Sequence, residues 1–164
     1  MGELDHGPAR FDASDVSPAV ALLRTHSTSS DDITAWIDIR PLDVPTERLP
    51  MKKGLLGRSK SADPPSAQVI WVDPSSGRGD STINIDLPGF DVAPVIAAAG
   101  PAPAAWNVED AKKSIIVTAD VGLTLEQLVS YAVVALGAGL GGWQGGFEAT
   151  GVDIADYGRR VHGL

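Results

Sequence analysis

The sequence predicts an α+β fold: one mostly antiparallel sheet of about five strands, near the average sheet size, with helices packed on one face. Three observations predict it. Lys113–Leu136 spells out a strand, a turn and a fully capped helix. Ile33–Arg40 alternates apolar and polar residues as a half-buried strand does. Two further pairs of strand-like segments are joined by turn-type connections, the mark of hairpins.

Residues 1–16 read as a polar N-terminal arm. Ser17 and Pro18 then stand as N-cap and first helical residue of a short helix reaching about Thr25. Ser27–Asp32 reads as a loop. In the strand that follows, Ile33, Ala35, Ile37 and Ile39 share one face, and Thr34, Trp36, Asp38 and Arg40 the other. Residues 41–66 read as a long irregular loop, with prolines at 41, 45, 50, 64 and 65. Loops of that length are functional or mobile more often than not.

Gln68–Asp73 and Thr82–Leu87 are two strands around the Ser- and Gly-rich turn Pro74–Asp80. Asp91 stands at the start of a short helix carrying Val92, Val95, Ile96 and Ala99, with Pro94 in its first turn and Gly100 at its end. Ala104–Val108 and Ser114–Thr118 form a second strand pair across Glu109–Lys112. Thr124 then occupies an N-cap, with Gln127 at the capping-box position and Leu123 and Leu128 as a hydrophobic staple. Leu125, Leu128, Val129, Ala132, Val133 and Leu136 follow at helical spacing, and Gly137 offers a stop. The single domain thus spans 17–140. Residues 141–164 read as a glycine-rich tail in which Val152–Val161 recovers a short helix. Residues 137–146 hold six glycines, each costing a helix roughly 1 kcal/mol against alanine.

The chain has 164 residues, 43% of them hydrophobic, enough for one domain with a real core. A net charge of −8 disfavours nucleic acid and anionic membrane, which need clustered cations. The absence of cysteine excludes disulfides, thiolate nucleophiles and thiolate metal sites. With no signal-like start and no long apolar run, the expected location is the cytoplasm.

Motifs of chemistry are weak. Gly137-Ala-Gly139-Leu-Gly141-Gly142 matches a dinucleotide fingerprint in letters, but it follows a helix, whereas the fingerprint opens one. It reads as a connection, and no cofactor is expected. Arg78-Gly79-Asp80 reads as turn composition. His6, His26 and His162 show no ligand spacing, so no metal is expected. No G-x-S-x-G elbow occurs. Asp31-Asp32 and Glu109-Asp110 read as turn acids.

Two constellations remain. Asp38, Asn84 and Asp86 share polar strand positions and could line a small cleft on one sheet face. The segment Met51–Lys60 carries Lys52, Lys53, Arg58 and Lys60 with no acid, leaving −12 on the rest of the chain. Leu55 and Leu56 within it, together with Trp36 on the polar side of its strand, mark a surface that something covers. Trp71 and Trp106 read as core residues.

The order helix, three strands, helix, two strands, helix resembles the type III secretion chaperone-like fold, which includes the YbjN-like bacterial proteins. The resemblance covers about residues 17–140 and is carried by Gln68–Leu87, Asp91–Ala99 and Ser114–Leu136 with its LTLEQL entry into the last helix. It implies a non-enzymatic, often dimeric protein that binds polypeptide segments. The leading expectation is therefore a cytoplasmic interaction or chaperone-like module, with a protein or peptide partner and a homodimer in view. Trp36, Leu55, Leu56, Lys52, Lys53 and Arg58 are its contact residues. The alternatives are a small-molecule binder or enzyme built on Asp38, Asn84 and Asp86, and an acidic inhibitor or immunity-type subunit facing a basic partner.

Overall fold

The computed structural model describes residues 7–29, 34–45, 47, 49, 51–53, 59–61, 63–73, 80–102, 106–119, 124–143 and 145–152. In chain order the elements are β1 (Ala9–Phe11), α1 (Ser17–Ser29), β2 (Thr34–Pro41), β3 (Met51–Lys53), β4 (Ser59–Ser61), β5 (Ser66–Val72), β6 (Ser81–Asp86), α2 (Val92–Ala99), β7 (Asn107–Asp110), β8 (Ser114–Ala119), α3 (Leu125–Gly139) and β9 (Phe147–Gly151). The α+β class holds. The main sheet has seven strands in the order β1-β9-β2-β5-β6-β8-β7, and every neighbouring pair is antiparallel.

The strand count exceeds the expected five because both flanking segments enter the sheet. β1 comes from the stretch read as a polar arm, and β9 from the stretch read as a glycine-rich tail. β9 pairs with β1 on one side and β2 on the other. Phe147 and Ala149 alternate with Glu148 and Thr150, but the pattern is too short to stand out beside six glycines. The connection 41–66, read as irregular, contains the two-stranded sheet β3–β4. The turn 74–79, Leu123 of the staple, Leu55, Leu56, Arg58, His6, His162 and the tail helix expected within 152–161 lie wholly or largely outside the described residues.

Alternation along each strand puts one side of the sheet in the core. Ala35, Ile37, Ile39, Ala67, Val69, Ile83, Ile85, Ile115, Val117, Phe147 and Ala149 are all buried there. α3 lies over β5 and β6 and packs between α1 and α2, so the three helices share that side. Leu23, Leu128, Ala132, Ala135 and Leu136 supply the helical half of the core. Trp71 and Trp106 pack against it, the latter edge-on to Tyr131 with ring centres 6.1 Å apart.

Helix ends refine the sequence reading. α1 opens at Ser17 itself, and Asp15 rather than Ser17 supplies the cap: its carboxylate accepts the Ser17 backbone N–H at 3.0 Å and the Ser17 hydroxyl. α1 also runs past Thr25 to Ser29. Asp91 holds the N-cap position of α2, but its side chain makes no cap bond. Glu109 and Asp110 lie in β7, and the reversal falls at Ala111–Lys113, where Lys112 takes φ 73°. α3 continues through Gly137 to Gly139. A Cβ on Gly139 would stand 3.2 Å from Leu87 Cδ2, so glycine lets the helix run close over its neighbours.

The start of α3 matches its sequence signature. The Thr124 hydroxyl accepts the Gln127 N–H at 3.1 Å, and the Gln127 side chain accepts the Thr124 N–H at 2.8 Å. Thr124→Ala should lower the unfolding free energy by about 1 kcal/mol. Urea melts that superimpose on wild type would place the helix start elsewhere.

Candidate functional site

Helices cover one side of the sheet, and among the described residues none lies over the other. On that second side the register lines up three cross-strand rows. Thr150, Asp38, Gln68, Asn84, Ile116 and Glu109 form the first, from β9 to β7. Trp36, Ile70, Thr82, Thr118 and Asn107 form the second. The third contains Arg10, Glu148 and Arg40 at one end and Ser66, Asp86 and Ser114 at the other. Polar and apolar side chains are interleaved, and most are half-buried.

A cavity of about 380 Å³ opens on this side, lined by Asp38, Ile39, Arg40, Ser66, Ala67, Gln68 and Thr150. Asp38 is its acidic group. The indole N–H of Trp36 donates to the Asp38 carboxylate at 3.1 Å. Crowding by protein atoms pushes the Asp38 carboxyl above its usual range, opposed by the Trp36 hydrogen bond and the Arg40 charge. One strand beyond Gln68, the Oδ1 of Asn84 is buried with no hydrogen-bond partner among the described residues.

Glu148 closes the cavity's neighbourhood toward the sheet edge. It is buried, held by Arg40 through Nη2 at 2.6 Å and Nε at 3.2 Å, with Arg10 Nε at 3.7 Å on the other side. The Arg40 hydrogen bonds, with the two guanidinium charges, hold its carboxyl below the usual range.

The predicted site residues distribute as follows. Trp36 and Asp38 lie together on this side and touch. Asn84 shares the row of Asp38, but Gln68 stands between them, and strands about 4.8 Å apart put the two roughly 10 Å from each other. Asp86 belongs to the next row. Lys52 and Lys53 lie in β3, off the main sheet. Arg10, Arg40, Gln68, Glu148 and Thr150 entered no sequence-based site. Their grouping depends on β9 lying between β1 and β2, and no local pattern announces it.

Among the described residues, no three His, Cys, Asp or Glu side chains gather as a metal site, and no helix is long and apolar enough to cross a membrane. No family model, no curated protein and no solved structure matches this chain.

Asp38 gives a test of the site's electrostatics. A carboxyl whose folded pKa is raised weakens the fold once pH exceeds its unfolded value, 3.8. Asp38→Asn should therefore raise the melting temperature at neutral pH, and the gain should vanish as pH falls below that value. A gain that persists in acid would mean that charge is not its cause.

Proposed function

We propose that this chain is a cytoplasmic, non-enzymatic protein-interaction module, chaperone-like in use, whose uncovered sheet side receives a polypeptide segment. One observation carries the reading: a complete side of a seven-stranded sheet lacks a helical cover among the described residues and sets Trp36, Ile70 and Ile116 among hydrogen-bonding side chains. Mixed surfaces of this kind suit a peptide, which offers amides and apolar side chains together. The edges are poorer docking sites. β1 has three residues, and β7 is short and presents Glu109 and Asp110, which discourage strand addition.

Selection of a displayed random-peptide library on the pure protein tests this. Enriched peptides should bind wild type and lose at least about tenfold, or 1.4 kcal/mol, on Ile70→Asp and on Gln68→Arg. No enrichment over an unrelated acidic domain, or equal binding to both variants, rejects the proposal.

The cavity beside Asp38 favours a second reading, a small polar ligand. It predicts a melting shift with one member of a metabolite set that Asp38→Asn abolishes.

A further inference from the structure

The three cross-strand rows on the uncovered side hold two arginines against four acids, and the two signs are not equally satisfied. Arg40 donates to Glu148 through two nitrogens, and Arg10 faces the same carboxylate across 3.7 Å. Both guanidinium groups are thus engaged by one buried acid. Asp38 is different. Among the described residues it makes no ion pair and accepts one hydrogen bond, from the Trp36 indole at 3.1 Å. Arg40 acts on it only at longer range. Crowding by protein atoms outweighs both and disfavours the bare anion. A cation brought to Asp38 would answer that deficit.

The surroundings of Asp38 select among cations. Asp38 is exposed at the hollow of about 380 Å³, so a ligand can reach it. Gln68 stands directly opposite it in β5 and Thr150 directly opposite in β9. With Ser66 they surround the carboxylate with an amide and two hydroxyls, each able to accept a hydrogen bond. The Trp36 indole is tied to the same carboxylate. A guanidinium matches this set. It is flat, carries five N–H donors and no acceptor, pairs with a carboxylate in a fixed fork, and stacks on aromatic faces. An ammonium has three donors and no flat face. The chain's own Arg40 borders the hollow but does not fill it, because its Nε and Nη2 donate to Glu148.

We propose that the polypeptide segment received by this side carries an arginine, whose guanidinium seats on Asp38 between Gln68 and Thr150 with the Trp36 indole alongside. The arginine preference rests on the peptide-binding reading above and gives it a sequence. Asp86 and Glu109 lie farther along the same side, so the rest of the segment should be basic or neutral rather than acidic.

Selection of a displayed random-peptide library on the full chain tests this, followed by fluorescence anisotropy with labelled copies of the enriched peptides. Those peptides should share one arginine position. Replacing that arginine by citrulline keeps its shape and removes its charge, and should weaken binding to wild type at least about tenfold. Replacement by lysine should cost less. On Asp38→Asn the arginine and citrulline peptides should bind alike, because the coupling between the two groups is gone. Glu109→Gln removes the same charge from the far end of the row and should change the affinity by no more than about threefold. Circular dichroism checks that Asp38→Asn is folded. If it is not, Gln68→Leu takes its place and should narrow the difference between the two peptides by about threefold or more. Enriched peptides without arginine, a citrulline difference that Asp38→Asn leaves intact, or equal losses on Asp38→Asn and Glu109→Gln overturn the arginine anchor and leave the peptide-binding reading standing. A library that yields no binder removes both. A dimer that forms without peptide and dissociates on Asp38→Asn assigns the hollow to a second copy, and overturns the proposal as well.

Discussion

Phe147→Ala should lower the unfolding free energy by about 3–5 kcal/mol, a third or more of what a domain of this size has at the low end of its range. Phe147 is fully buried. Its ring stacks on Phe11 with centres 5.7 Å apart and planes at 23°. In the ladder it stands opposite Phe11 of β1 and Pro41 of β2. Truncation leaves a cavity and also strips Phe11 of β1 of its stacking partner, so the N-terminal strand should loosen with it. Urea denaturation gives the loss directly, and amide exchange at Ala9–Phe11 reports the loosening. A cost under about 1 kcal/mol, as for a solvated side chain, would mean that β9 does not lie in the sheet.

Glu148→Lys should be the most damaging charge change. It replaces the anion between Arg10 and Arg40 with a third cation at a buried position, and added salt should relieve part of the loss. Glu148→Gln separates charge from shape. In the wild type the folded pKa is depressed below 4.5. The stability it contributes is therefore present above that value and fades as pH falls through the lower, folded one. Melting temperatures measured from about pH 7 to pH 3 should fall less steeply in the Gln variant than in wild type over the acid limb. Parallel curves would show that the clamp carries no proton linkage. The sign is opposite to that expected for Asp38, whose carboxyl is raised, so the two substitutions should bend the pH profile in opposite directions.

Local signals are legible wherever structure is local. The capping box at Thr124 and Gln127, the alternation through Ile37 and Ile39, and the hairpin pairing of β5 with β6 follow from neighbours a few residues apart. The helix ends at Ser29 and Gly139 escape the sequence because polar and glycine residues are poor helix formers, and at Gly139 close packing on Leu87 and Val95 overrides that. β1 and β9 are hidden for another reason. Each is short, and the strand that pairs β1 lies more than a hundred residues away, so neither shows a turn to its partner. The same distance hides the Arg10, Arg40 and Glu148 cluster and the row linking Asp38 to Thr150. Trp36 and Asp38 can be singled out because a large ring at a polar strand position is a local anomaly. Gln68 at the middle of the same row is an ordinary residue in an ordinary strand, and only the register gives it a place.

The position of β9 has a consequence for the order in which the protein can be made. β2 bonds β5 on one edge from early in synthesis, but its other edge waits for Phe147–Gly151. Until that segment emerges from the ribosome, the nascent chain carries an unpaired strand with Ile37 and Ile39 behind it and no β1 beside it. Closing so distant a contact is slow, and open strand edges recruit other chains. Stalled or prematurely ended translation products that lack Phe147–Gly151 should therefore aggregate through the open edge of β2.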